Sequence, residues 1–250
     1  TWYWRARAIS TTNQLGNWSQ TFNFLLPDIT TWPIDSENAA VELHHRKAMP
    51  SLNIPDFTDT YVIEGGSGSS STYDSSGYIY VGEMATGYQS AGLIKIPLNQ
   101  LPNPSNARIT NADLNLYSIF GSSIDEPLAI RPVLQNWNSD ANDTTYDGIN
   151  NWSALGGRNI GTDIGTYVDI QDSVSAGWMT WDVTEAIQAA QAAGSSELSL
   201  MIYASSTVTQ DYVEFISTDS TSSDKPWLNL TWSNGSASMP YIALNNAISI

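Results

Sequence analysis

The sequence predicts an all-β fold, an antiparallel β-sandwich carrying one short helix. From residue 59 onward, short runs of alternating polar and apolar residues recur at steady spacing, separated by Gly, Pro, Asn, Asp and Ser. This is the pattern of strands that each bury one face. Only one stretch, just after residue 182, carries its apolar residues at helical spacing. Apolar residues make up 41% of the 250, and a chain of this length can bury about three quarters of its unfolded surface.

Taken in order, residues 1–27 read as a hairpin. Trp2, Trp4, Ala6 and Ala8 alternate with Tyr3, Arg5, Arg7 and Ile9; a turn follows, and Trp18, Phe22, Phe24 and Leu26 keep even spacing. Residues 28–58 read as a linker punctuated by Pro33, Pro50 and Pro55, with only Ala40-Val41-Glu42-Leu43-His44 strand-like. Strands are then expected at 59–64, 78–82, 92–98, 109–119, 128–134, 178–182, 197–204, 212–217 and 227–232. The helix is expected at about 183–193. Asp182-Val183-Thr184-Glu185 has the spacing of a capping box, Val183, Ile187 and Ala190 form a narrow apolar stripe, and Gly194 supplies a left-handed stop. Residues 59–233 thus make the sandwich, and 234–250 read as a tail strand.

Nine Lys and Arg stand against twenty-five Asp and Glu, a formal charge of −16. Such a chain repels phosphate backbones and anionic lipid, which argues against nucleic acid as a partner. No apolar run reaches the roughly 18 residues of a membrane-spanning helix. There is no cysteine, which removes disulfides, thiolate metal sites and Cys nucleophiles together. Abundant Ser, Thr, Asn and Gly with scarce Lys suit an exported β-protein at the cell surface. Asn-x-Ser/Thr sequons stand at Asn17, Asn142, Asn151, Asn229 and Asn234. Asn229 alternates with Leu228 and Leu230, so its side chain is expected to face away from the core.

Catalytic chemistry has little to build on. The two histidines, His44 and His45, are adjacent; on a strand they would point to opposite faces, so they read as exposed linker residues rather than metal ligands. There is no Gly-x-Ser-x-Gly elbow, and Gly65-Gly66-Ser67-Gly68 lacks the Lys of a phosphate loop. Asp140, Asn142 and Asp143 are the densest oxygen cluster, but Thr145 and Asn151 stand where a calcium-binding EF-hand loop needs Gly and Glu. No cofactor is expected, with an irregular structural calcium left open. No enzyme activity is expected either.

Several motifs resemble a known family. They are Asp59-Thr60-Tyr61-Val62, Gly92-Leu93-Ile94-Lys95-Ile96-Pro97-Leu98, Ile109-Thr110-Asn111-Ala112-Asp113-Leu114-Asn115-Leu116-Tyr117, Trp137, Trp178-Met179-Thr180-Trp181-Asp182-Val183-Thr184, Phe215-Ile216-Ser217 and Pro226-Trp227-Leu228-Asn229-Leu230. In this order they resemble a DNRLRE domain, a disaggregatase-related, carbohydrate-binding-module-like jelly roll. Where that family often carries Arg-Phe-Asp-Leu, this chain has Lys95-Ile96-Pro97-Leu98. Residues 1–27, through Tyr3-Trp4-Arg5-Ala6-Arg7-Ala8 and Gly16-Asn17-Trp18-Ser19, resemble the last two strands of a fibronectin type III domain. The fold class implied is a jelly-roll-like β-sandwich with one helix, preceded by an incomplete fibronectin type III-like segment.

Two functional readings follow. The first is a structural or adhesive unit of an extracellular fibre or repetitive surface protein, partnered by copies of itself or adjoining repeats. Units would join head to tail by sharing β-structure, with Trp2, Trp4, Trp18, Phe22, Phe24, Ile242, Leu244 and Ile248 as contacts. The second is a carbohydrate-binding module of a larger exported protein or polysaccharide-degrading enzyme, with Tyr78, Tyr80 and Trp152 exposed for sugar stacking. Trp137 and Trp181 are expected in the core.

Overall fold

The computed structural model of the protein describes residues 2–4, 22–24, 51–65, 70–101, 107–120, 127–166, 168–172, 174–204 and 211–234. The chain divides into two compact units. One comprises Thr1–Met49 and Gly235–Ile250; in it β1 (Trp2–Trp4) and β2 (Phe22–Phe24) pair antiparallel, Trp2 opposite Phe24 and Trp4 opposite Phe22.

The other, Pro50–Asn234, is the expected antiparallel β-sandwich. Its first sheet holds β3 (Ser51–Ile54), β13 (Trp227–Asn234), β7 (Ala107–Phe120) and β10 (Gly177–Asp182), in that order. The second holds β4 (Thr58–Glu64), β6 (Tyr88–Pro97), β11 (Glu197–Ala204), β8 (Leu128–Pro132) and β9 (Asp169–Gln171). The pair β5 (Tyr78–Ala85) and β12 (Asp211–Ile216) joins them. β5 pairs with the first residues of β6, and β12 with the last residues of β7. Bulges at both junctions let the ladder turn the corner.

Alternation along the strands builds the core. Leu114, Leu116, Met179, Trp181, Leu228 and Leu230 face in from the first sheet, and Ile94, Ile96, Leu128, Ile130, Leu200 and Ile202 from the second. Trp181 spans the layer: its ring meets Phe215 edge-on at 5.8 Å, and its indole N–H donates to the Leu128 carbonyl at 3.4 Å. Trp137 and Trp181 are both fully buried, as the motifs led one to expect.

The helix α1 (Thr184–Ala192) buries Ile187 against this core. Its end follows the sequence closely: Gly194 has φ +67°, its N–H donates to the Gln191 carbonyl and that of Ser195 to the Ala190 carbonyl, a Schellman arrangement. Its start does not form the expected capping box. Asp182 Oδ1 accepts from the Thr184 N–H, while Thr184 Oγ1 accepts from the Ala112 N–H on β7. The Thr hydroxyl is drawn to a strand backbone group that would otherwise lack a partner.

Two short strands fall where none was expected. β3 lies between Pro50 and Pro55, inside the expected linker, and β9 is only three residues long. Both are single-sided partners, of β13 and β8 respectively, and such edges tolerate flanking proline and brevity.

Residues 133–166 form a long irregular segment whose Trp137, Ala141, Trp152 and Ile164 pack on Val62, Ala91, Leu93 and Met201, the outward side chains of the second sheet. Buried Asp163 organises it, accepting from the Ser153 and Ala154 N–H groups and the Ser153 hydroxyl at 2.9–3.1 Å. Lys95 ties the segment down: its Nζ donates to the Trp137 carbonyl at 2.6 Å, pairs with Glu197 at 2.9 Å and lies over the Trp137 ring. The outer face of the second sheet is therefore occupied by protein.

Candidate functional site

The outer face of the first sheet carries a different set of side chains. Strand register stacks them into rows, and alternation turns them away from the core. Trp178 stands opposite Tyr117. In the next row Thr180, Asn115 and Trp227 lie side by side on β10, β7 and β13. Beyond them, Asp182, Asp113, Asn229 and Asn53 cross all four strands. Asn111, Thr231 and Ser51 form the last row.

The aromatic end is an ordered cluster. Trp178 packs edge-on to Tyr117 at 5.3 Å and to Trp227 at 6.0 Å, yet 45% of its surface remains in water. Below the rings, Thr180 Oγ1 donates to Asn115 Oδ1 at 2.8 Å and Asn115 Nδ2 donates to the Asp113 carbonyl at 2.9 Å. Gln171 of β9 donates to the Thr180 carbonyl, and Asp169 accepts from the Asp182 N–H, which fixes the edge strand β10. Rings held by such a frame lose little entropy on meeting a ligand.

The second aromatic group is the one marked in the sequence. Tyr80 lies 5.2 Å from Tyr61, 6.4 Å from Tyr78 and 6.0 Å from Tyr212. Tyr61 stacks on Tyr73 at 4.3 Å and belongs to the core; burial pushes its hydroxyl up to about 12. Tyr78 is 40% exposed and Tyr80 half-buried. Trp152 corrects the expectation of an exposed ring: it is only 5% exposed, meets Tyr146 edge-on and donates its indole N–H to the Asn142 carbonyl at 2.8 Å. A Cβ at Gly157, where φ is +69°, would come within 2.8 Å of that indole. Trp152 is a core residue of the covering segment.

The family model of carbohydrate-binding module family 96 matches residues 53–232, all of the sandwich but a few residues at its two ends. The chain belongs to this family. Among the curated proteins, none matches it. The family 96 match covers the stretch whose motifs resembled a carbohydrate-binding-module-like jelly roll. It does not reach residues 1–27, where the fibronectin type III likeness rests on the sequence alone.

The remaining expected sites sort by environment within the family 96 module. Asn142 is buried, its Oδ1 accepting from the Thr144 and Thr145 N–H groups and its Nδ2 donating to the Asp140 carbonyl. That corrects the expectation of a glycosylation site, because no sugar can reach this amide while the segment is folded. Asn151 is exposed and Asn229 half-buried on the outer face. Asp143 is buried beside the Thr144 hydroxyl, its carboxyl raised above the ordinary value by burial. Among the described residues no group of three or more His, Asp or Glu is placed to hold a metal ion, and no helix is long and apolar enough to cross a membrane. Asn17, Trp18, His44, His45, Ile242, Leu244 and Ile248, and the side chains of Trp2, Trp4, Phe22, Phe24 and Asn234, lie outside the described residues. The described residues give no support to head-to-tail fibre assembly.

Trp178, Tyr117 and Trp227 are not legible as a group in the sequence. Each stood inside a motif read as strand, and the signal that unites them is the antiparallel register, which needs two pairings that bridge about 60 and about 110 residues.

Proposed function

We propose that this family 96 module is a non-catalytic unit that binds polysaccharide on the outer face of its first sheet, as part of an exported protein. The observation that supports this most is the half-exposed Trp178, braced by Tyr117 and Trp227 beside rows of amide, hydroxyl and carboxylate side chains. A sugar ring offers an apolar face to the indole and hydroxyls to the polar rows, so one surface meets both halves of the ligand. The second sheet cannot serve in this way, since residues 133–166 cover it.

Electrophoresis of the protein through native gels containing soluble polysaccharides tests the reading. Retardation by at least one polysaccharide that Trp178→Ala abolishes, with the melting temperature unchanged, is the expected result. Retardation equal for both proteins would place binding elsewhere, with exposed Tyr78 and neighbouring Tyr80 the next surface to mutate.

A further inference from the structure

We infer that Asp169 and Gln171 of the second sheet are positioning residues for the glycan site of the first, an inference that rests on the reading of the first sheet's outer face as that site. They hold the edge strand β10, and through it Trp178, without touching the sugar. β10 pairs with β7 along one side only, so its other side is an edge of the first sheet. β9 is the last strand of the second sheet, and the two edges face each other. Asp169 and Gln171 are two residues apart on β9, as Thr180 and Asp182 are on β10. Side chains at that spacing leave a strand on one side, and so do the free backbone groups of alternate residues along an antiparallel edge. Gln171 Nε2 donates to the Thr180 carbonyl at 2.6 Å, and Asp169 Oδ2 accepts from the Asp182 N–H at 2.9 Å. A donor meets the carbonyl and an acceptor meets the N–H, so the two side chains complete the edge as a neighbouring strand would. Asp169 Oδ1 accepts from the Ile170 N–H at 2.8 Å, which aims the other oxygen across the gap.

Between these two bonds, Trp181 points inward and donates its indole N–H to the carbonyl of Leu128, the β8 residue paired with Gln171. Thr180, Trp181 and Asp182 are thus each tied to the second sheet. Trp178 stands two residues before the first of these ties, on the same face as Thr180 and Asp182. The strands that carry its partner rings are held on both sides, β7 between β10 and β13, and β13 between β7 and β3. β10 instead has a ladder on one side and two side chains on the other. Release of either side chain lets β10 fray from the edge, and the ring that rides on it must then be ordered again when a glycan binds. Such ordering weakens binding even when every contact to the ligand is kept. The second sheet, whose own outer face is covered by residues 133–166, therefore acts on the sugar through its edge.

The test uses the full chain labelled with 5-fluorotryptophan, with a mixed-linkage β-glucan, a galactomannan, polygalacturonate and alginate as probes. The Trp178 fluorine signal is the one missing from Trp178→Phe protein. With no glycan present, Gln171→Met and Asp169→Ala are expected to shift or broaden that signal in protein that stays folded by circular dichroism. Calorimetry with a probe that the parent binds through Trp178 should show each variant weaker by about fivefold, the net effect of one hydrogen bond. Asp169→Asn keeps an acceptor oxygen and should recover most of the loss. Gly157→Ala strains the covering segment on the far face and should leave both the Trp178 signal and the affinity as they are. A Trp178 signal unmoved in both variants overturns the inference, as does an affinity that stays at the parent value when the signal moves. Parent protein that binds none of the probes, or binds with no need of Trp178, overturns the reading of the face and the inference with it.

Discussion

Trp178 and Tyr117 stand opposite one another on β10 and β7, with ring centroids 5.3 Å apart and planes inclined at 83°. The edge of one ring thus meets the face of the other, and each ring limits the other's freedom to turn. Edge-to-face pairs contribute about 0.5–1.5 kcal/mol beyond their buried area. Tyr117→Ala should therefore weaken glycan binding without removing any direct contact to the sugar, by letting Trp178 relax. If the two rings act as one unit, Tyr117→Ala and Trp178→Ala will be non-additive in binding free energy. Calorimetric titration of the two single variants and the double variant reads this directly; strict additivity would show that the rings work separately.

Trp152 gives the opposite phenotype. Its indole is buried within the cluster that residues 133–166 form with the second sheet, and Trp→Ala in such a setting costs about 3–5 kcal/mol. Trp152→Ala is expected to lower the denaturant midpoint sharply while folded protein keeps its glycan affinity. Gly157→Ala should move the midpoint the same way, since its Cβ would meet the indole.

The same pair of tryptophans shows how far the sequence could be read. Alternation located most strands because each buries one face, and Trp137 and Trp181 were expected in the core because they fall on the motifs of the family resemblance. Trp152 sits in irregular chain, where no period marks inside from outside. Its burial comes from Asp163 and Asn142 gathering backbone N–H groups far from any strand. The binding face was hidden for a related reason. Trp178, Tyr117 and Trp227 are each half of an alternation, and only strand pairing reveals that their outward sides coincide. β3 escaped notice because an edge strand between two prolines is held by its partner β13 rather than by its own sequence.

Asp59 makes stability depend on pH in a predictable sense. It is buried, accepting from the Ser217 hydroxyl at 2.7 Å and the Thr218 N–H at 2.8 Å. Burial raises its carboxyl above the ordinary value, with those hydrogen bonds opposing the rise. Once pH passes the unfolded value of about 3.9, the unfolded chain gives up this proton while the folded chain still holds it. Folding is therefore progressively disfavoured from there up to the raised folded value, and the Asp59 contribution is flat beyond it. Asp59→Asn removes that contribution. Melting temperatures taken from pH 4 to pH 7 should fall less steeply in the variant than in the parent; parallel curves would show that Asp59 ionises as an ordinary carboxyl.

Asn229 places a modification signal on the binding face. The sequon Asn229-Leu230-Thr231 lies on β13, with Asn229 in one row with Asp113 and Asn53 and Thr231 in the row beyond. Leu228 and Leu230 fill the core, so the Asn229 amide can only project outward. A glycan attached there would lie across the rows that are proposed to receive polysaccharide, so modification and binding should exclude one another. In protein whose sequons at Asn17, Asn151 and Asn234 are removed by Asn→Gln, made in a host that N-glycosylates, lectin chromatography separates chains with and without sugar at Asn229. The modified fraction is expected to lose affinity at least tenfold, and the unmodified fraction to match protein from a non-glycosylating host. Thr231→Val removes the sequon but leaves Asn229 in place, at the cost of the Thr231 contact with Thr110. Its protein should bind alike from both hosts. If mass spectrometry finds Asn229 occupied and the affinity unchanged, the polysaccharide does not lie across this row.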